Sequence, residues 1–256
     1  MPLSIIKKVW DYCSYSMWFL AFIFILLLVS EFIQNYVQMR VDYDYWMVIQ
    51  FIIFALLAGY GMQITRDRIN HGVRLPKIII KDVVFFGFKA TIVYFIYFLI
   101  QGYVLDFICS PLNFPAFNLE EMLFHWSDTI YMLYYHNPIK TIIFLVVGSI
   151  LFYCTVFFME IALARLADTR SMLQSFNFIA IVRNISTFGW RNYARDYTII
   201  VLAIVILLFL ESFQLPNPIL DDFVDTLLEF LIFATQYLGI GAVYCDIKDM
   251  MRESRE

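Results

Sequence analysis

Long runs of apolar residues recur along this sequence, and they restrict it to very few folds. A helix that crosses the hydrocarbon core of a bilayer needs roughly 20 mainly apolar residues. Because that core offers no water to backbone polar groups, such runs cross it as helices. We therefore predict an all-α integral membrane protein, a single polytopic domain over residues 1–256 with about six transmembrane helices. Their approximate ranges are 16–36, 46–63, 83–104, 139–160, 197–213 and 223–244.

The composition excludes an ordinary soluble domain. Hydrophobic residues make up 62% of the chain and charged residues only 16%, whereas soluble domains contain roughly 45–50% apolar residues. One soluble core cannot bury that much apolar surface. The charged residues gather in short segments between the apolar runs, which is the pattern of a multi-pass membrane protein.

The basic residues are distributed unequally between the two sides that six spans create. Sixteen of the 18 lysines and arginines fall on one side, and only Arg40 and Lys140 fall on the other. Lysine and arginine are retained on the cytoplasmic side. We therefore predict a multi-pass plasma-membrane protein with both termini in the cytoplasm. The opposite side collects acidic residues, which repel nucleic acid, so no nucleic-acid partner is expected.

The connection between the fourth and fifth spans has an amphipathic pattern. Apolar residues recur every three or four positions, with Ile181 as the one apolar residue on the polar side. This pattern predicts a helix over about 171–190 that lies along the cytoplasmic membrane surface, with Trp190 at the headgroup level. The apolar stripe consists of Met172, Phe176, Ile179, Val182 and Ile185, and the polar side of Gln174, Asn177, Asn184, Thr187 and Arg191.

Small residues stand at positions where helices are expected to pack. Gly59 and Gly61 lie near the cytoplasmic end of the second span, and Gly239 and Gly241 near that of the sixth. Glycines at helix ends more often permit close helix packing than bind a ligand, so we predict packing at both. Cys154, in the middle of the fourth span, is also predicted to be a small packing residue.

No short catalytic or cofactor motif is present. The sequence contains no GxxxxGK[ST], HExxH, GxSxG or CxxC, so we predict no catalytic residue, no cofactor and no metal site. One alternative stays open, because His125 and His136 share the long outer segment with Glu121 and Asp128 and could form a weak metal site. His71 is interpreted as a surface residue in the turn after a helix end.

Basic residues in the cytoplasmic connections are candidates for contact with anionic lipid headgroups or other anions. Each such residue contributes about 1 kcal/mol of attraction near an anionic membrane surface. The simpler interpretation is that these residues only determine the topology. The candidates are Arg66, Arg68, Arg74, Lys77 and Arg165.

Glu229 is the one carboxylate that is predicted to lie well inside a span. Ionisable residues within a membrane are costly and are functional candidates, so Glu229 is the intramembrane polar candidate. The alternatives are a polar packing contact or a shorter span that begins nearer Leu231. Glu31, Glu160 and Glu211 are predicted to lie near span ends.

A set of spaced residues includes a Gly-Tyr helix end, a basic stretch, a Leu-Pro pair and a Gly-x-Lys entry into the third span. These residues are Gly59, Tyr60, Arg66, Arg68, Gly72, Leu75, Pro76, Gly87, Lys89 and Tyr94. A second segment, 162–185, has an alanine-rich helix end followed by Ser175 and Phe176. Together they resemble an uncharacterised archaeal membrane family, the domain of unknown function numbered four thousand and thirteen, although Ser175 and Asn177 depart from its Ala and Asp. The resemblance implies a polytopic membrane domain and no established activity.

Two functions are consistent with these features. The first is a non-enzymatic membrane protein that handles lipids or small solutes, or serves as a subunit of an envelope complex. The alternative is a membrane-embedded enzyme that acts on a lipid headgroup, with arginines binding the phosphate and Asp67 or Asp168 acting as the base. The expected partners are membrane lipids, with other membrane proteins or further copies of this chain.

Overall fold

The computed structural model is all-α, with no strand in the part of the chain that it describes. The described residues are 25, 28, 43–72, 76–110, 134–135, 137–213, 216 and 218–253. This part contains seven helices, α1 (Tyr43–Ile69), α2 (Ile80–Cys109), α3 (Pro138–Thr169), α4 (Met172–Ser175), α5 (Phe178–Phe188), α6 (Trp190–Glu211) and α7 (Pro218–Glu253).

Four of these helices, α2, α3, α6 and α7, are long and apolar enough to cross a membrane. They contain the predicted third to sixth spans almost entirely. Helix α1 covers the predicted span 46–63, whereas 16–36 lies outside the described residues except for Ile25 and Leu28. The chain is therefore an all-α integral membrane protein, and the total of six spans stays a prediction.

Helices α3 and α7 are longer than a bilayer is thick. They contain 32 and 36 residues, which at 1.5 Å per residue gives lengths of about 48 and 54 Å, against about 30 Å for the hydrocarbon core. Each begins at a proline, Pro138 or Pro218, which the first helical turn tolerates because its N–H has no partner there. Their last turns therefore extend beyond the hydrocarbon and carry charged residues such as Asp168 and Lys248.

The chain forms two compact units, of which the first contains the described residues of 1–93 and 160–256. Helix α7 is the centre of this unit, and α1, α5 and α6 pack against it. In the most apolar stretch of α7, 61% of the residues are buried, against 17–33% in the other span helices. Because much of α7 contacts protein and not lipid, it can carry polar residues such as Gln236 within its span.

The second unit, Tyr94–Met159, consists of the end of α2 and the beginning of α3. Its small apolar core is formed by the buried residues Leu105, Cys109 and Phe144. Cys154 is exposed, so the prediction that it packs inside was wrong. Its position in mid-span is compatible with exposure because lipid solvates the outer surface of a membrane helix.

The predicted glycine packing is confirmed where α1 meets α2. A Cβ atom on Gly59 would overlap the carbonyl oxygen of Val83, and one on Gly87 would overlap the carbonyl oxygen of Ala55. Both obstacles are backbone atoms, which cannot move aside without displacing a helix. The two glycines therefore permit the contact between these helices.

Glycines also permit the contact between α1 and α7. A Cβ atom on Gly61 would lie 2.5 Å from the ring of Tyr237, and one on Gly241 would lie 2.9 Å from the Cβ atom of Arg68. The hydroxyl of Thr65 donates a buried hydrogen bond to the carbonyl oxygen of Tyr237 at 2.9 Å. The end of α1 that carries Gly61 and Thr65 thus packs closely on α7, and the predicted packing role of Gly61 is confirmed.

The predicted surface helix over 171–190 is divided in the structure. Helix α4 is a single turn, and α5 begins anew after Asn177, whose side-chain oxygen accepts a hydrogen bond from the N–H of Ala180 at 3.0 Å. Gly189, with φ of 92°, separates α5 from α6. An asparagine N-cap and a glycine with positive φ are both common at helix ends.

The buried side of α5 also differs from the predicted apolar stripe. Ile181 and Ile185 are fully buried and Asn184 is 2% exposed, whereas Ile179 is 83% exposed. The reason is that α5 packs against α6 and α7, so protein contacts select the buried side. Its exposed side still carries apolar residues such as Phe178, and its location at the membrane surface stays a prediction.

Candidate functional site

Among the described residues, Glu160 on α3 has the one almost fully buried carboxyl group. The residue is 4% exposed, and its Oε1 accepts a hydrogen bond from Nε2 of Gln236 on α7 at 3.1 Å. Its Oε2 is buried and has no hydrogen-bond partner within the described part of the chain. Buried polar atoms are nearly always hydrogen-bonded, so this oxygen requires an explanation.

A small pocket borders Glu160. The rings of Tyr193 and Tyr197, on α6, stack with their centroids 6.0 Å apart. Gly239 lets Ile200 approach α7, because a Cβ atom there would lie 2.8 Å from Cδ1 of Ile200. Glu160 therefore borders the pocket together with apolar and aromatic side chains. The pocket is lined by Glu160, Ile161, Tyr193, Tyr197, Ile200, Ile240 and Val243.

The position of Glu160 along its helix places it near the boundary of the hydrocarbon. At 1.5 Å per residue it lies about 33 Å along α3 from Pro138, and Gln236 lies about 27 Å along α7 from Pro218. A hydrocarbon core of about 30 Å therefore ends close to this pair when both helices enter the bilayer near their prolines.

Sequence reasoning assigned Glu160 to a span end and preferred Glu229 as the intramembrane candidate. In the structure, Glu229 lies on α7 with intermediate exposure. Helix α3 continues beyond Glu160 and ends at Thr169. The signal for the burial of Glu160 was the run of apolar and small residues that follows it, because Ile161 and Ala162 continue the packed helix and are at most 1% exposed.

Arg165, about one turn after Glu160, is held by acceptors from the protein. Its Nε donates to the carbonyl oxygen of Gln174 at 3.0 Å, and its Nη2 donates to Oε1 of the same residue at 2.8 Å. When the side-chain amide of Asn184 is oriented to satisfy its neighbours, its oxygen accepts from Nη1 at 3.0 Å and its nitrogen donates to the carbonyl oxygen of Ala180. Arg165 thus joins α3 to α4 and α5, and its contact with a headgroup stays a prediction.

Further charged residues connect the ends of α2, α3 and α7. Lys248 pairs with Asp168 at 2.6 Å, with both side chains about a quarter exposed, and Arg170 pairs with Asp82 at 3.2 Å. Lys89 donates to the carbonyl oxygen of Arg170 at 2.6 Å. These contacts form a polar layer at the end of the unit where the basic residues were predicted to gather.

The other candidate residues for headgroup contact lie apart from Arg165 in the chain. Arg66 and Arg68 are in the last turn of α1, two positions apart, so they do not face the same way. Arg68 donates to the carbonyl oxygen of Gly72 at 3.2 Å, and Lys77 is exposed in the segment before α2. Arg74 lies outside the described residues.

The histidines of the outer segment, His125 and His136, also lie outside the described residues, as do Glu121 and Asp128. The weak metal site at these residues stays an alternative from the sequence. His71 is exposed in the turn after α1, as the sequence predicted.

A family model described as "Protein of unknown function (DUF4013)" matches residues 45–214. The chain belongs to this family. The match confirms the resemblance seen in the sequence and includes Glu160, Arg165 and the α4–α5 region. Helix α7 with Gln236 follows the matched region. No curated protein and no solved structure matches the chain.

Proposed function

We propose that this protein is a non-enzymatic integral membrane protein that binds a small hydrogen-bond-donating group at Glu160, presented by a lipid headgroup or a small solute. The observation that supports the proposal is the buried Oε2 of Glu160, which has no partner within the described residues. A buried carboxyl oxygen without a donor costs several kcal/mol. A donor from a ligand removes this cost.

The chemistry of the pocket favours an ammonium group as the donor. A carboxylate forms stronger hydrogen bonds with charged donors than with neutral ones, and the aromatic rings of Tyr193 and Tyr197 at the pocket can also attract a cation. The pocket is small, so it suits the tip of a primary amine better than a bulky quaternary amine. An ethanolamine headgroup and a free amine offer the same group.

The enzyme alternative has less support. It requires arginines that are free to bind phosphate beside a free carboxylate base. Arg165 donates to Gln174 and Asn184, and Asp168 pairs with Lys248. These residues are occupied by structural contacts, so the non-enzymatic function is preferred.

We further propose a plasma-membrane location with both termini in the cytoplasm, because 16 of the 18 lysines and arginines fall on the side of the termini. Membrane lipids are the principal proposed partners. The outer surface of α6 supports this, since its side chains of Leu202, Val205 and Phe209 are more than half exposed and would need an apolar solvent. Other membrane proteins of an envelope complex, or further copies of this chain, are alternative partners for the same surface.

The test compares binding of lipids with ethanolamine and choline headgroups to the purified protein by native mass spectrometry. We expect the parent protein to retain the ethanolamine lipid preferentially, and Glu160→Gln to bind it at least about tenfold more weakly, because a hydrogen bond to a charged group contributes about 1.5–3 kcal/mol. The matched control is Glu229→Gln, which makes the same change elsewhere in the spans and should leave binding unchanged.

Free ethanolamine added as a competitor distinguishes the two sources of the amine. Displacement of the lipid at millimolar competitor would identify a site for free amines, and no displacement would identify a lipid site. Equal binding of the ethanolamine lipid by the parent and by Glu160→Gln would refute the proposal.

A further inference from the structure

Three side chains with metal-binding atoms meet where the end of α1 approaches the end of α7. Cys245 and Asp249 are four residues apart on α7, so they lie on one side of that helix. His71 reaches them from the turn after α1. The sulfur, nitrogen and carboxylate oxygen atoms of the three residues all lie within 4.8 Å of one another.

The backbone around His71 is built to hold the imidazole in this place. The N–H of Gly72 donates to the carbonyl oxygen of Asp67 at 2.8 Å, and the N–H of His71 donates to that of Arg68 at 3.1 Å. This pair of bonds is the Schellman motif, whose left-handed position is usually occupied by glycine. Here His71 occupies it, with φ of 60°.

A non-glycine residue in the left-handed region is strained, and such strain is concentrated at functional sites. Glycine follows directly at position 72, so the chain places a histidine where glycine would cost less. From this turn the side chain of His71 contacts α7. Its Nε2 is 3.4 Å from Oδ1 of Asp249, and its Nδ1 is 3.4 Å from Sγ of Cys245.

The separations of the three donors resemble those of a zinc site. Zinc bonds of about 2.0–2.3 Å in a tetrahedron place neighbouring donor atoms about 3.3–3.8 Å apart. Nε2 of His71 is 3.4 Å from Oδ1 of Asp249 and 3.9 Å from Sγ of Cys245, and that Sγ is 3.9 Å from Oδ2 of Asp249. These distances involve both carboxylate oxygens of Asp249, so rotation of the carboxylate and the imidazole would bring one oxygen, one nitrogen and the sulfur to a common ion.

We propose that His71, Cys245 and Asp249 bind one Zn²⁺ ion, with a fourth position left for water or another donor. Thiolate, imidazole and carboxylate together are a donor set that zinc accepts. The site has a path for the ion, because the side chains of His71 and Asp249 are 61% and 39% exposed. Cys245 is buried beneath them, so it would form the inner wall.

The charges around the site are mixed. Asp246 and Asp249 lie near Cys245, and so does the Arg68 guanidinium. Zn²⁺ would offset the carboxylates, whereas Arg68 is held by the carbonyl oxygen of Gly72 and stabilises the turn that carries His71. At about 41 Å along α7 from Pro218, Cys245 lies beyond a hydrocarbon core of about 30 Å, so the ion would arrive from water.

The test is a titration of the chelator-treated full chain in detergent with Co²⁺, which reports thiolate ligation by a sulfur-to-cobalt charge-transfer absorption, followed by displacement with Zn²⁺. We expect one equivalent of metal per chain. Loss of an outer-shell partner alone weakens metal sites 10- to 100-fold, so Cys245→Ser, His71→Asn and Asp249→Asn should each weaken binding at least about tenfold. Asparagine is chosen at position 71 because it also tolerates the left-handed conformation.

The matched control is Cys154→Ser, which removes an exposed thiol from another helix and should change neither the absorption nor the stoichiometry. Circular dichroism of the metal-free variants verifies that each keeps the helical content of the parent. A charge-transfer absorption that survives in Cys245→Ser would refute the site. So would the absence of stoichiometric binding in the parent, which would leave a hydrogen-bonded Cys-His-Asp cluster instead. These outcomes are independent of lipid or amine binding at Glu160.

Discussion

Asn184 is the acceptor residue of the only N-x-[ST] sequence in the chain, and the structure gives it a different role. Its side chain is 2% exposed and connects Arg165 to the backbone of α5. A glycan on this nitrogen would replace one of its two hydrogens and could not fit inside the packed unit. The sequence alone predicts that Asn184 stays unglycosylated, because the residue is predicted to face the cytoplasm. Its burial is a second and independent reason for the same prediction.

The close contact between α1 and α2 leads to a prediction at the residue level. We expect Gly59→Ala to lower the free energy of unfolding by about 1–3 kcal/mol, because overpacking against backbone atoms has costs of that size. The matched control is Gly102→Ala on α2, whose Cβ atom would meet nothing within 4 Å. It should be neutral or stabilising by up to about 1 kcal/mol, the difference in helix propensity.

Both glycine variants can be measured by unfolding in denaturing detergent, followed by helical circular dichroism. A Gly59→Ala protein as stable as Gly102→Ala would mean that α1 and α2 do not approach as closely as the structure shows.

Helix α5 combines a side that packs on protein with a side that carries exposed apolar residues. Asn177 begins the helix and Gly189 ends it, so the element is short and has a defined start and end. Ile181 and Ile185 face α6 and α7, whereas Phe178 is 54% and Ile179 is 83% exposed. A soluble helix would rarely expose two adjacent large apolar residues in this way, but a helix at a membrane surface can bury them in lipid.

The depth of α5 in the membrane can be measured with spin labels. We expect a label at Ile179 to be accessible to oxygen and poorly accessible to a water-soluble nickel reagent. A label at Thr187, which is exposed on the polar part of the same surface, should show the reverse. Equal aqueous accessibility at both positions would place α5 in water and exclude the interfacial assignment.

The distribution of charged residues predicts which parts of the chain lie on each side of the membrane, and the number of span helices is compatible with that prediction. Tyr135 precedes α3, and Met250 is in the last turns of α7; three span helices, α3, α6 and α7, lie between them in sequence. An odd number of crossings puts two positions on opposite sides. The proposed orientation, with both termini in the cytoplasm, predicts that Tyr135 is on the outer side and Met250 on the inner side.

Cysteine labelling tests this topology in intact cells. In a chain whose native cysteines are replaced by serine, Tyr135→Cys should react with a membrane-impermeant maleimide, because the side chain is 82% exposed and a thiolate needs water to react. Met250→Cys, at a position that is 40% exposed, should react only after permeabilisation. Labelling of Met250→Cys in intact cells would overturn the proposed orientation.

The sequence by itself determined the fold class, the approximate positions of the span helices and the family. These properties follow from composition over about 20 consecutive residues, which hydropathy measures locally. It also predicted the packing at Gly59 and Gly61, since small residues at a helix end have a local meaning. The exact ends of the helices were harder to predict from the sequence. Helix α5 begins after Asn177 and ends before Gly189, and these single residues interrupt a hydrophobic pattern that is otherwise continuous.

Only the tertiary structure decided which distant residues meet. Glu160 is 76 positions from Gln236 and His71 is 174 from Cys245, and no local pattern encodes those contacts. Burial depends on packing from other helices, so it could reverse the roles expected for Glu160 and Asn184. A carboxyl group near a span end becomes a site only when three helices enclose it, and that enclosure is a property of the folded unit.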